Sequence, residues 1–113
     1  MVWYNLALCC SVIGTLLGEK GQQLLQTAFD LYNRVQRQIE SEPSSKHWDL
    51  VQMAVTNNQA CIYYDYAMRD ETRECLEQLA AVILTSDDMD TAEKKAFCLN
   101  LQVLGSNNLA AAA

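Results

Sequence analysis

Proline, glycine, histidine and positive charge are all scarce in this chain. One proline and four glycines in 113 residues are too few for a sandwich of many short strands, which needs a turn every eight to twelve residues or so. Eight basic residues stand against fourteen acidic ones, for a formal charge of −6 and an isoelectric point near 4.5. That leaves no positive field to draw in phosphates, which excludes nucleic acid and anionic membrane surfaces as expected partners. The single histidine, His47, and the absence of any C-x-x-C pair leave no four-ligand set for zinc. Neither a glycine-rich phosphate loop nor H-E-x-x-H occurs. No cofactor and no metal is therefore expected.

The one long uncharged stretch, Leu6 to Leu17, covers twelve residues where a bilayer span needs about twenty. The preceding MVWYN has no positive residue and no small-x-small cleavage site comes after it, so the stretch does not read as a leader. Five cysteines, Cys9, Cys10, Cys61, Cys75 and Cys98, lie scattered in apolar surroundings, and their number is odd. This usage fits buried thiols in a reducing, intracellular and cytoplasmic setting rather than a disulfide framework.

Half the residues are apolar, and a chain of this length buries about two thirds of its surface on folding, enough for a single core. The apolar spacing is helical almost throughout. Trp3, Leu6, Cys10 and Ile13 recur at three and four residues, with Gly14 as the expected stop and Thr15 to Gly21 as a loop. Leu24, Leu25, Ala28, Leu31, Tyr32, Val35 and Ile39 form the clearest stripe, predicting a second helix from Gln22 to about Ile39. Glu40 to Lys46, with the proline and three serines, reads as a connector in which Ser44 or Ser45 can cap the next helix.

A third helix is predicted from about His47 to Tyr66, burying Trp48, Val51, Val55 and Ile62, with no glycine to mark its end. Thr72, Cys75, Leu76, Leu79, Val82 and Ile83 predict a fourth over Asp70 to Leu84, with acids at its positive end. After the break Thr85 to Asp90, a capping box of Asp90 and Glu93 opens a fifth over Thr91 to Leu104. The expected domain is 1–105, with 106–113 a frayed alanine-rich tail. Short connections make successive helices antiparallel.

A pair of antiparallel helices repeating at about 34 residues is the mark of a helical solenoid. Trp3, Leu6, Ala7 and Cys10 take the spacing W-x2-L-G-x2-Y, and Ala28 with Tyr32 takes A-x3-F. In a fainter second pair, Ala60 and Tyr63 fill the small and aromatic places, Thr56 and Gln59 replace Trp and Leu, and Thr72 with Leu76 takes A-x3-F. In WYNLALCC, AFDLYNRVQ and NNQACIYY the chain resembles the tetratricopeptide-repeat family, as a divergent member of an algal type. That resemblance implies an all-α fold of antiparallel helix pairs, a fragment of about five helices from a right-handed superhelical solenoid. It implies a concave groove that holds a peptide or partner helix, lined by Tyr4, Asn5, Leu8 and Ser11 from the first helix and Asn57, Asn58, Cys61, Tyr64 and Asp65 from the third. Asn5 and Asn58 are equivalent in the two repeats. No lysine or arginine stands at these positions to grip a terminal carboxylate, so a different ligand is expected.

The expected function is a non-catalytic scaffold that binds a protein or peptide, with a basic partner favoured by the charge. The rival is a structural or self-associating helical module, the C-terminal part of a longer repeat array, with no ligand of its own. Catalysis is not expected. Ser44, Ser45 and His47 lie too close along one loop to face one another as nucleophile and base, and no cysteine has a local electropositive setting that would lower its pKa. Asp87, Asp88 and Asp90 do not make a calcium loop, because a loop starting at Asp88 has Glu93 at position six and Leu99 at position twelve.

Overall fold

A computed structural model describes residues 2–41, 48–86 and 91–112. These form α1 (Val2–Leu17), a 3-10 turn (Gly18–Gly21), α2 (Gln22–Ser41), α3 (Trp48–Asp65), α4 (Arg69–Thr85) and α5 (Thr91–Ala112), with no strand among the described residues. The all-α expectation holds. The expected caps at Ser44, Ser45 and Asp90, and the side chain of Trp48, lie outside the described residues. The chain divides into two compact units, Met1–Pro43 and Ser44–Ala113.

The first unit is an antiparallel hairpin of α1 and α2. Gly14 lies against Gly21 and Leu25, while Tyr4 meets Tyr32 near the other end, with ring centroids 6.1 Å apart and planes tilted by 58°. The apolar stripe of α2 is buried at Leu25, Ala28, Leu31, Tyr32, Val35 and Ile39, as its spacing predicts. Two expectations for α1 are corrected. The helix passes through Gly14 and stops three residues later, before Gly18, whose φ of +60° is the left-handed conformation that glycine adopts without penalty. Thr15 to Gly21 is accordingly not a loop but a last helical turn followed by the 3-10 turn. The missing side chain of Gly14 serves close approach instead of termination.

The second unit is a three-helix, up-down-up arrangement. Along the α3–α4 pair, Ala60 packs with Cys75 and Leu76, and Met53 with Leu79 and Ile83, so the two helices run antiparallel. Leu104 closes the first of these clusters, while Phe97, Cys98 and Leu101 flank the second. That order makes α5 antiparallel to α4 and parallel to α3.

The α3 terminus uses a motif that no glycine announces. The Met68 N–H donates to the Tyr63 carbonyl at 2.9 Å and the Ala67 N–H to the Tyr64 carbonyl at 3.0 Å. This crossed pair is a Schellman cap, and it requires Ala67 to sit at φ +56°. An alanine there suffers a steric cost of roughly 1 kcal/mol that glycine does not. Ala67→Gly should therefore raise the urea-unfolding free energy by about 1 kcal/mol with unchanged helicity; no change or a loss would contradict the cap.

The tail is a further correction. Residues 106–112 continue α5 instead of fraying. Asn108 is buried, and its Nδ2 donates to the Arg69 carbonyl at 3.0 Å, tying the last two turns to the start of α4. Gly105 costs the helix interior about 1 kcal/mol relative to alanine. Burial of Leu104 just before it and the Asn108 bond just after it outweigh that loss.

Candidate functional site

The third helix turns most of its circumference inward. Val51, Met53, Val55, Thr56, Gln59, Ala60 and Ile62 are all buried. Its open side carries Leu50, Ala54, Asn57, Asn58, Cys61, Tyr64 and Asp65, which recur at three and four residues and so share one stripe. All five residues expected on this helix therefore fall on one accessible stripe of α3, while Asp49, Gln52 and Tyr63 are half-buried elsewhere on it. Asp65 is exposed and the other four are half-buried.

The stripe is not free along its whole length. Asn100 of α5 donates from Nδ2 to Asn57 Oδ1, and the same nitrogen lies 3.8 Å from Cys61 Sγ. Asn57 in turn donates to Asn58 Oδ1 at 3.3 Å. A short amide chain thus runs from α5 across α3, spending part of the hydrogen-bonding capacity of Asn57 on helix packing. Burial pushes the Cys61 thiol upward, a rise that the Asn100 hydrogen bond opposes and the Asp65 charge reinforces. Desolvation also raises the Asp65 carboxyl. Tyr63, one residue off the stripe, is raised first by burial and then by the nearby Cys75, Glu71 and Glu74.

In the first unit, Tyr4 and Ser11 are half-buried on the side of α1 that meets α2, while Asn5 and Leu8 are exposed. Tyr4 is engaged with Tyr32. Asn5 stands on the far side of the helix from Ala7 and Gly14, which are buried. The amide expected to match Asn58 thus points away from the side that Tyr4 and Ser11 occupy.

Sequence reasoning overlooked Asn100. It sits among Phe97, Leu101 and Leu104 at inward-facing spacing, and a polar residue within an apolar stripe is the signal that could have marked it.

Buried Cys75 has its pKa pushed up to about 11 by desolvation, with the Glu74 charge adding to the effect. A thiol so raised stays protonated at neutral pH and is a poor nucleophile. The unfolded chain releases this proton near pH 9, whereas the folded chain holds it to about pH 11, so the folded state loses stability as pH rises between those values. The wild type should therefore lose more stability than Cys75→Ala over that window. Urea midpoints at pH 8 and 11 measure it, and equal slopes in the two proteins would refute it.

His47 and the acidic run at 87–90 lie outside the described residues, among which no group of three His, Cys, Asp or Glu side chains could hold a metal ion. None of the described helices is long and apolar enough to cross a membrane. No known family model, curated protein or solved structure matches the chain.

Proposed function

We propose that the protein is a non-catalytic interaction scaffold of tetratricopeptide-like build, and that the open stripe of α3 receives an extended peptide or a helix from a partner. The observation that carries this reading is the stripe itself, where amides, a thiol and a tyrosine recur at helical spacing on a helix whose other sides are largely buried. Tyr64 supplies an amphipathic anchor of the kind favoured at binding surfaces. Asn58, whose Oδ1 accepts from Asn57, adds an amide to the stripe.

Other features support the repeat reading. Ala7, Ala28, Ala60 and Thr72, at the family's small positions, are all fully buried. In the second unit α5 lies parallel to α3 with α4 packed against both, the order expected when one helix pair is followed by the first helix of the next. Fold analogy of this kind raises the expectation of peptide binding without supplying the ligand. The partner's chemistry is set by charge. Residues 44–113 contain ten acids and five bases, a net −5, so the α3 stripe sits in an acidic unit suited to a basic segment.

A display library of extended peptides tests the reading. The full-length chain should select basic sequences with interspersed apolar residues, and Asn58→Ala/Tyr64→Ala should weaken them at least tenfold while far-UV circular dichroism stays the same. Equal binding by the two proteins, or no selection at all, would discard the α3 site.

A further inference from the structure

The first helix poses a problem that α2 does not solve. Its inner side, at Ala7 and Gly14, is buried against the hairpin, but its outer side is also largely apolar, with Asn5 among its exposed residues. Leu6 is 47 % exposed, Ile13 49 % and Leu16 80 %, with Val12 and Leu17 half exposed beside them and Cys9 exposed between. Leu6, Cys9, Ile13 and Leu16 are spaced by three, four and three residues, the a/d spacing of a coiled-coil seam. An apolar outer stripe on a helix already packed along its inner side calls for a second cover.

The geometry points to a second copy of this chain as the cover, with two α1–α2 hairpins pairing through their first helices about a two-fold axis to make a four-helix bundle. Area and charge select this occupant. The exposed fractions of Leu6, Val12, Ile13, Leu16 and Leu17 amount to roughly 500 Å² per copy, so self-pairing buries up to about 1,000 Å², the threshold of a specific interface. That is also at the upper end of what monomers leave exposed in one patch, about 300–600 Å². The seam is free of charge, and residues 1–43 hold four acids and three bases, a net −1 against the −6 of the whole chain. Two first units can thus meet without the repulsion that two second units would suffer. A lipid surface suits the helix less well, because interfacial helices present lysine or arginine beside their apolar face and α1 has neither.

Cys9 makes the pairing measurable. In an antiparallel seam that overlaps all four positions, Cys9 faces Ile13 of the other copy, and the two Cys9 residues lie about 6 Å apart along the axis; a parallel seam sets them side by side. A short bismaleimide should therefore give covalent dimers from the full-length protein at micromolar concentration, and Cys9→Ser should abolish them. Light scattering should find a dimer that Leu16→Glu and, separately, Val12→Lys convert to monomer with unchanged helicity; both sites are exposed, so the hairpin itself should survive. A monomeric wild type at 100-fold higher concentration overturns the proposal, as does a dimer indifferent to both substitutions. So does co-sedimentation of a monomer with phosphatidylcholine vesicles that Leu16→Glu abolishes. The proposal does not depend on the α3 stripe: Asn58→Ala/Tyr64→Ala should leave the dimer intact, so each reading fails on its own measurement.

Discussion

Gly21→Ala is expected to dismantle the α1–α2 hairpin. A Cβ added at Gly21 would stand 2.6 Å from the carbonyl carbon of Gly14 and 2.7 Å from its Cα, with the Gly14 carbonyl oxygen nearer still. All three are backbone atoms of a helix, which cannot swing aside as a side chain does. The helices must separate or the turn must rebuild, and overpacking of this severity costs about 3 kcal/mol or more. Gly14→Ala meets the Leu25 side chain at 2.9 Å and the Gly21 oxygen at 3.0 Å, so it should be milder because the leucine can shift. Gly105→Ala is the control: nothing lies within 4 Å of its added methyl, and the better helix former should stabilise the protein by about 1 kcal/mol. Thermal unfolding with amide hydrogen exchange over residues 2–41 reads all three. Normal protection in Gly21→Ala would mean that the two glycines do not touch.

The second large effect is expected from Leu79→Ala. Leu79 is fully buried between Met53 of α3 and Ile83 of its own helix, with Val82, Phe97, Cys98 and Leu101 packed around them. The cluster around it therefore draws on all three helices of the second unit. Deleting its side chain removes the transfer energy of three methylene-sized groups and leaves a cavity at a fully buried site, for a loss of about 3–5 kcal/mol. Small domains have only about 5–15 kcal/mol in total. Leu79→Met, which conserves volume, should cost less than about 1.5 kcal/mol. Leu84→Ala should be nearly silent, because Leu84 is 83 % exposed. Urea unfolding checks the order, and comparable losses at Leu79 and Leu84 would place the core of this unit elsewhere.

The helices were legible because their spacing is a local property. The α2 stripe and the α4 positions Thr72, Cys75, Leu76, Leu79 and Ile83 are buried where a 3.6-residue period puts them. The open stripe of α3 was legible for the same reason, since residues at three and four apart share a face whatever packs on the opposite one. Helix ends were less so. Gly14 and Gly105 look like stops, yet one serves close packing and the other is carried through by its neighbours. The real stop of α3, at Ala67, lacks the expected residue type. Asn100 could be marked as a polar residue in an apolar stripe, but not its partner, because the contact joins residues 43 apart and depends on how α5 lies along α3.

By itself the sequence determined the helical class, the inward faces of α2 and α4, and the unbalanced charge, because each arises from composition or from periodicity within a single segment. Tertiary structure alone decided that Gly14 and Gly21 meet, that Asn108 anchors the final turns, that Asn57 is engaged by α5, and that the outer side of α1 lies uncovered. Each of these depends on the position of one helix relative to another. Such positions come from the summed burial of many side chains, and no segment carries that sum in its own pattern.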